Sequence, residues 1–392
     1  MRKGKIKIIF NDLIPTIMKI FIAKVIIFFG GGRKYKQAWL ISERGTDARD
    51  NGYFFWNYLT SHHQEVNCFF VIKRQSSDYN KFKKKDRIVF NGTIKHYILL
   101  YRSVYLISTH ILGYTPNATA FSLLGKYGIV GMPSGKRIFL QHGIIKDNID
   151  GLKYPTVKLD LFVCGAKEEY EYVLKNYNYP QGVVQFTGLA RYDTLKDKPG
   201  KRQILIMPTW RKWLNSMSCE AFIQSDYYNN YKNLLQNEEL LNFLRLHDYT
   251  LIFYPHYEMQ KFVDLFQSKD ERIKIAKFSD YDVQMLLRES SVLITDYSSI
   301  YFDFAYMQKP ILFFQFDKSL FFQNHYAKGY FDERRFGPVF SDEKTLINYV
   351  SSGKCFHNYY IDEQSAFFGN NIEKGTCCER IFKRILSIDL HE

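Results

Sequence analysis

Three sets of residues in this 392-residue chain have types and spacings suited to phosphate chemistry. The first lies between Val292 and Asp317, where an apolar run ends in Asp296-Tyr297-Ser298-Ser299. An amphipathic segment, Lys309-Pro310 and a second apolar run follow. The pattern predicts strand, polar turn, helix and strand, one βαβ unit with Ser298 and Ser299 where the helix begins. Free N–H groups and the positive end of the helix dipole favour a phosphate there; the alternative is a serine that only caps the helix. The second set is a pair of histidines. His142 follows Ile138-Phe139-Leu140 and precedes Gly143, and His256 follows the run Leu251 to Tyr254. A histidine at the carboxyl end of a parallel strand faces the crevice where α/β sheets bind ligands. Gly143 permits close approach of a ligand or another backbone. An imidazole can take the proton of a hydroxyl nucleophile near neutral pH. One histidine in each half suggests two groups facing across a cleft, His142 as base and His256 as partner of a phosphate or leaving group. The residues alone allow those roles to be exchanged. The third is Arg211, past a strand end after Pro208-Thr209-Trp210, whose fork suits either a phosphate or a carboxylate.

Positioning these groups requires parallel sheets. Apolar runs alternate with amphipathic segments along the chain, as βαβ units do. Strands are expected at Ala38–Ser42, Cys68–Ile72, Ile88–Phe90, Val104–Ser108, Arg137–Leu140, Leu161–Cys164 and Val183–Phe186, then at Ile204–Met207, Leu251–Tyr254, Ile273–Ile275 and Leu312–Phe314. Helices are expected from Asp50-Asn51-Gly52 to Leu59, over Lys167–Lys175, Tyr231–Leu246 and Tyr281–Glu289, and over Cys378–Ile388, the last crossing back onto the first domain. The polar stretch Asp193–Arg202, with Pro199-Gly200, reads as a linker. Asn215–Asn230 is polar and aperiodic and reads as a loop over the cleft. The expected division is 1–37, a basic amphipathic segment, followed by two Rossmann-like domains, 38–196 and 197–392.

In chain order, Gln141-His142-Gly143, Gly188-Leu189-Ala190-Arg191-Tyr192-Asp193, Met207-Pro208-Thr209-Trp210-Arg211, Tyr254-Pro255-His256 and Thr295-Asp296-Tyr297-Ser298-Ser299 resemble the CDP-glycerol glycerophosphotransferases of teichoic acid and capsule synthesis. The resemblance runs from about Trp39 to Phe340. It implies a GT-B-like α/β fold, two Rossmann-like domains facing across a cleft, 38–196 for the acceptor and 197–392 for the CDP-linked donor. It also implies transfer of glycerol phosphate, or a related polyol phosphate, from a CDP-activated donor to a hydroxyl of a lipid-linked saccharide or growing polymer, with release of CMP. His142 matches the family's catalytic histidine. Arg191 matches the arginine of a motif that usually reads GxPRxD, with Ala190 in place of the proline. Thr209, Arg211, Ser298, Ser299 and Asp303 fall at substrate-binding positions, and Asp303 lies one helical turn beyond Ser299. Asp296 caps or orients the turn. Gln141, Ile144 and Tyr257 depart from the usual pattern. Competing readings are a nucleotide-sugar glycosyltransferase of the same fold and a non-catalytic membrane-surface scaffold.

With 54 Lys and Arg against 40 Asp and Glu, the formal charge of +14 calls for an acidic partner. No nucleic-acid-binding motif is present, which leaves an anionic membrane and a phosphorylated substrate. The first 36 residues hold nine of the cations and one acid, Asp12, around an apolar run broken by Lys19 and Lys24. That run is too short to span a bilayer, which needs about 20 residues. It reads as an interfacial helix on the cytoplasmic face of the membrane or as a helix packed on the first domain. The six cysteines lack CxxC spacing and suit reduced thiols. No DxD pair, Walker loop or HExxH appears, so no protein-bound metal is expected, Mg²⁺ entering at most with the donor diphosphate.

Overall fold

The computed structural model describes residues 9–195, 200–324, 328–370 and 374–388. The first sheet is built from β1 (Ala38–Ser42), β2 (Cys68–Ile72), β3 (Ile88–Phe90), β4 (Ser103–Ser108), β5 (Lys136–Phe139), β6 (Leu161–Cys164) and β7 (Val184–Phe186). The second comprises β8 (Lys201–Ile206), β9 (Thr250–Phe253), β10 (Ile273–Ile275), β11 (Ser290–Thr295), β12 (Ile311–Phe314) and β13 (Val339–Phe340). Every strand pair is parallel. Their orders are β3-β2-β1-β4-β5-β6-β7 and β10-β9-β8-β11-β12-β13. In each, the chain reverses its direction of travel between the first and fourth strands, and loops splay apart there to leave a crevice. Helices cover both faces, so strands such as Cys68-Phe69-Phe70-Val71-Ile72 are buried along their whole length.

One apolar core is shared by the two halves. It runs from Trp39, Phe55 and Ile107 under the first sheet to Leu205, Leu293, Phe302 and Phe313 of the second. The C-terminal helix Cys377–Ser387 crosses back to the first domain. The N–H groups of Cys377 and Cys378 both donate to Asp193 at 2.8 Å, and Phe382 packs on His63 and Trp39. The six cysteines are free thiols, with Cys219 alone exposed.

Several elements differ from expectation. β8 begins at Lys201, so the end of the expected linker is the solvent-exposed start of a strand; residues 196–199, which contain the expected boundary, lie outside the described residues. The helix expected over Tyr231–Leu246 is two, Asp226–Gln236 and Glu238–Leu246, because Asn237 turns its side chain onto the N–H groups of Glu239 and Leu240. Asn215–Asn230 is no loop over the cleft: it holds helix Cys219–Phe222 and the start of the next. Its Phe222 stacks on Phe262 at 3.9 Å in the second core.

The helix Ile14–Phe28 packs on the first domain, one of the two readings of the amino terminus. Thr16, Ile20 and Ala23 bury one face against helix Ile94–Arg102 and the first sheet. Lys19 donates to the Gly92 carbonyl and Lys24 sits over the Tyr101 ring, so two of the basic residues are engaged by the protein. The opposite face bears Met18, Phe21, Val25, Phe28 and Phe29, the last two more than 80% exposed. The basic cluster at residues 2–7 lies outside the described residues.

Candidate active site

A cleft of about 610 Å³ opens between the carboxyl ends of the two sheets. His142 reaches it through the backbone of Gln141, held at φ 59°. A non-glycine residue adopts that left-handed conformation only when its surroundings enforce it. Here the Gln141 amide donates to the Val163 carbonyl and to Glu169, and its own carbonyl accepts from Asn51. Glu169 also accepts the N–H groups of Ile145 and Gly165, which fixes both ends of the loop. The loop therefore turns sharply and delivers the His142 ring into the cleft, where water reaches it.

The ring is stacked on His110, centroids 4.7 Å apart. His110 accepts a bond at Nε2 from Arg44 and pairs through Nδ1 with the Thr109 hydroxyl. Enclosure between the domains, followed by the charges of Arg44 and Arg191, lowers the pKa of His142 to about 4. His256 is also lowered to about 4, by burial first and Arg44 second. Both rings are neutral at pH 7. A neutral His142 keeps one ring nitrogen without hydrogen, and that nitrogen can accept a proton. His256 accepts the Glu258 N–H at Nδ1, so its proton sits on Nε2, where it can donate. In NMR titrations of the unliganded protein, the imidazole signals of both should stay unshifted from pH 8 to about 5.5. A midpoint near 6.5 for either would show that the cleft neither encloses it nor sets Arg44 against it.

Arg191 is fixed by both domains. Its Nε and Nη2 donate to the two oxygens of Asp303 at 2.7 Å, and Nη1 donates to Asp50 and to the His142 carbonyl. The side chains of Arg191 and Asp303 are 3% and 0% exposed. Both residues line the cleft, with one correction to the expectation: their charges meet each other, tying helix Tyr301–Tyr306 of the second domain to the loop that presents His142. Gly143 is placed by the same approach, since a Cβ there would lie 3.1 Å from Ser299 Oγ.

Ser298 and Ser299 line the cleft, but in the turn before the helix and not at its first residue. Ser298 Oγ accepts a long 3.4 Å bond from Ile300 N. The helix has only six residues, so its dipole is slight and the hydroxyls themselves are the available groups. Thr209 and Arg211 are not part of the cleft lining, a second correction. Arg211 is completely buried, paired with Asp296 at 2.8 Å and Asp317 at 2.6 Å, and packed among the rings of Tyr297, Tyr227 and Phe321. Thr209 gives its N–H to Asp296 and its carbonyl to Arg211. Asp296 thus orients the turn, as expected, by accepting from Thr209 and Tyr297.

Sequence reasoning missed His110, Arg44 and Asp50. His110 follows β4 as His142 follows β5, so the strand-end rule applied to one would have found the other. Arg44 follows β1 at the crossover point. Asp50 caps helix Asn51–His62 and binds Arg191; burial raises its pKa to about 6 against the lowering effect of that arginine. Among the described residues no group of three or more His, Cys, Asp or Glu is placed to hold a metal ion.

Two Rossmann-like domains whose strand ends meet at a shared crevice define a GT-B-like fold. The chain belongs to the CDP-glycerol:poly(glycerophosphate) glycerophosphotransferase family, whose model matches residues 24–387. It is 32% identical over 373 residues to the minor teichoic acid biosynthesis protein GgaB of Bacillus subtilis (strain 168), covering 90% of this chain and 40% of that one. It is 31% identical over 192 residues to a teichoic acid poly(glycerol phosphate) polymerase of Bacillus spizizenii, covering 47% and 45%. The chain thus spans less than half the length of these relatives. Its fold matches the wall teichoic acid polymerase TagF, in a form soaked with CDPG, at a TM-score of 0.64 and 15% identity over 96% of this chain and 98% of that one.

Proposed function

We propose that this protein transfers glycerol phosphate, or a related polyol phosphate, from a CDP-linked donor to a hydroxyl of a lipid-linked saccharide or growing polymer. The observation that carries the reading is the His142 ring, presented by the Gln141 turn to a cleft that also holds His256, Ser298, Ser299 and the exposed Arg44. His142 accepts the proton of the acceptor hydroxyl while its oxygen attacks the phosphorus bearing the polyol. The phosphoanhydride bond breaks and CMP departs with the bonding pair. Such a transfer needs positioning and charge stabilisation more than covalent help. His256 Nε2–H, the serine hydroxyls and the Arg44 guanidinium supply donors to the diphosphate. Any Mg²⁺ arrives with that diphosphate.

The serine assignment is tested by calorimetry. Changing Ser298 and Ser299 together to Ala should weaken CDP-glycerol binding by about 1–3 kcal/mol, the worth of bonds to a charged group. An unchanged affinity in a folded double variant would return both residues to shaping the turn.

The outer face of helix Ile14–Phe28 is proposed to lie on the cytoplasmic membrane surface, since its apolar row is uncovered while the opposite row is packed. No described helix is long and apolar enough to cross a membrane. Replacing Phe21, Phe28 and Phe29 by Ser leaves the packed face intact and should release the protein from anionic vesicles at moderate salt. Undiminished sedimentation with those vesicles would place the membrane contact elsewhere.

A further inference from the structure

A second pocket, of about 450 Å³, lies behind the cleft in the first domain. His110 borders both cavities, so the ring stacked on His142 forms the partition between them. Lys126, Arg137 and Lys158 line this pocket, and no carboxylate does. Lys126 lies over the Tyr127 ring; Asp160 accepts from the backbone N–H of Arg137, and the Arg137 guanidinium has no hydrogen bond or ion pair among the described residues. The rest of the wall is mixed, with Ser122 and Thr156 beside the apolar Phe121 and Met132.

We infer that this pocket holds the phosphate-bearing part of the acceptor, upstream of the hydroxyl that reaches His142. The inference rests on the transfer reaction proposed above. Its lining comes only from residues 110–159, which places it on the His142 side and away from His256 and the serines. Three cations in a lining that holds no carboxylate match a phosphodiester or diphosphate, and the apolar part of the wall suits the body of a saccharide or the first isoprene units.

The position is also right for a substrate arriving from a membrane. Helix Ala118–Tyr127 contributes Phe121 and Lys126, and Asn117 before it donates to Asp12 ahead of the N-terminal helix. The following segment is tied to that helix through Tyr101, which donates to the Gly131 carbonyl and lies beneath Lys24. From the exposed apolar helix the path runs through Met132 to the pocket, then past His110 to His142.

The test reads binding without donor and without turnover. Two probes are used at low salt, a fluorescent glycerol phosphate trimer and a fluorescent short-chain prenyl diphosphate disaccharide. In the wild-type protein at least one should bind. In the Lys126→Gln/Arg137→Gln/Lys158→Gln variant its affinity should fall about tenfold or more, since a lost contact to a phosphate is worth about that factor. Affinity for CDP-glycerol, measured by calorimetry on the same variant, should not change. Loss for the trimer assigns the pocket to polymer phosphodiesters, and loss for the prenyl probe alone assigns it to the lipid diphosphate. The double variant Lys126→Gln/Lys158→Gln, altered only at exposed side chains, should show the same direction if the triple variant misfolds. Absence of wild-type binding to both probes, or affinities indifferent to the substitutions, overturns the inference. Failure of the protein to release CMP would instead count against the proposed reaction and would leave this readout intact.

Discussion

Replacing His142 by Ala is expected to lower turnover by about 10²–10⁴-fold, the usual contribution of a general base, while CDP-glycerol still binds. The separation follows from the geometry. His142 belongs to the first domain, whereas the serines and His256 proposed for the donor belong to the second. His142→Gln keeps much of the ring's volume, yet offers no nitrogen lone pair. It should be as inactive as the alanine variant. Single-turnover kinetics with saturating donor would check this, and more than half of normal turnover in either variant would remove His142 from the chemistry. The pH profile adds a sign. A base whose pKa is lowered to about 4 is already unprotonated at neutrality, so on its account activity should hold as pH falls from 8 to about 5.5 and fail only near 4. A bound diphosphate would raise that limit by favouring the protonated ring.

The second large effect is on stability. Arg191→Met should cost about 3–5 kcal/mol, because it leaves the buried Asp303 and the half-buried Asp50 without their cation. Removing the Asp303 charge as well, in Arg191→Met/Asp303→Leu, should recover part of the loss, since the penalty comes from the unpaired charge more than from the missing attraction. Denaturant unfolding of the two variants measures the difference. If the double variant is no more stable than the single one, Arg191 acts through something other than this pair. Because Arg191 also holds the His142 carbonyl, the double variant should remain slow even where it is folded.

These two residues mark how far the sequence could be read. Strands declare themselves through continuous apolar runs, and those flanking His142 and His256 were placed within a residue or two because both faces of a parallel sheet are buried. The histidines themselves could be found because a strand end in an open α/β sheet has a known relation to the crevice. The arginines could not be sorted in the same way. Arg191 and Arg211 have the same side chain and similar local settings, and only packing discloses that each meets two carboxylates distant in sequence: Asp50 and Asp303 for one, Asp296 and Asp317 for the other. Arg44, which no motif marked, is the cation left facing both histidines. The break at Asn237 was illegible for a different reason. The apolar period continues through it, and only the capping bond of the asparagine divides the helix. Likewise Phe222 and Tyr227 are too few apolar residues to give Asn215–Asn230 a helical signature, although they anchor it in the second core.

The central claim is tested most directly by incubating the purified protein with CDP-glycerol and a lipid-linked saccharide acceptor and measuring nucleotide release. The account predicts CMP formed in step with glycerol phosphate gained by the acceptor, and no release from a UDP-sugar under the same conditions. Transfer of sugar from the UDP donor, with CDP-glycerol left intact, would contradict it.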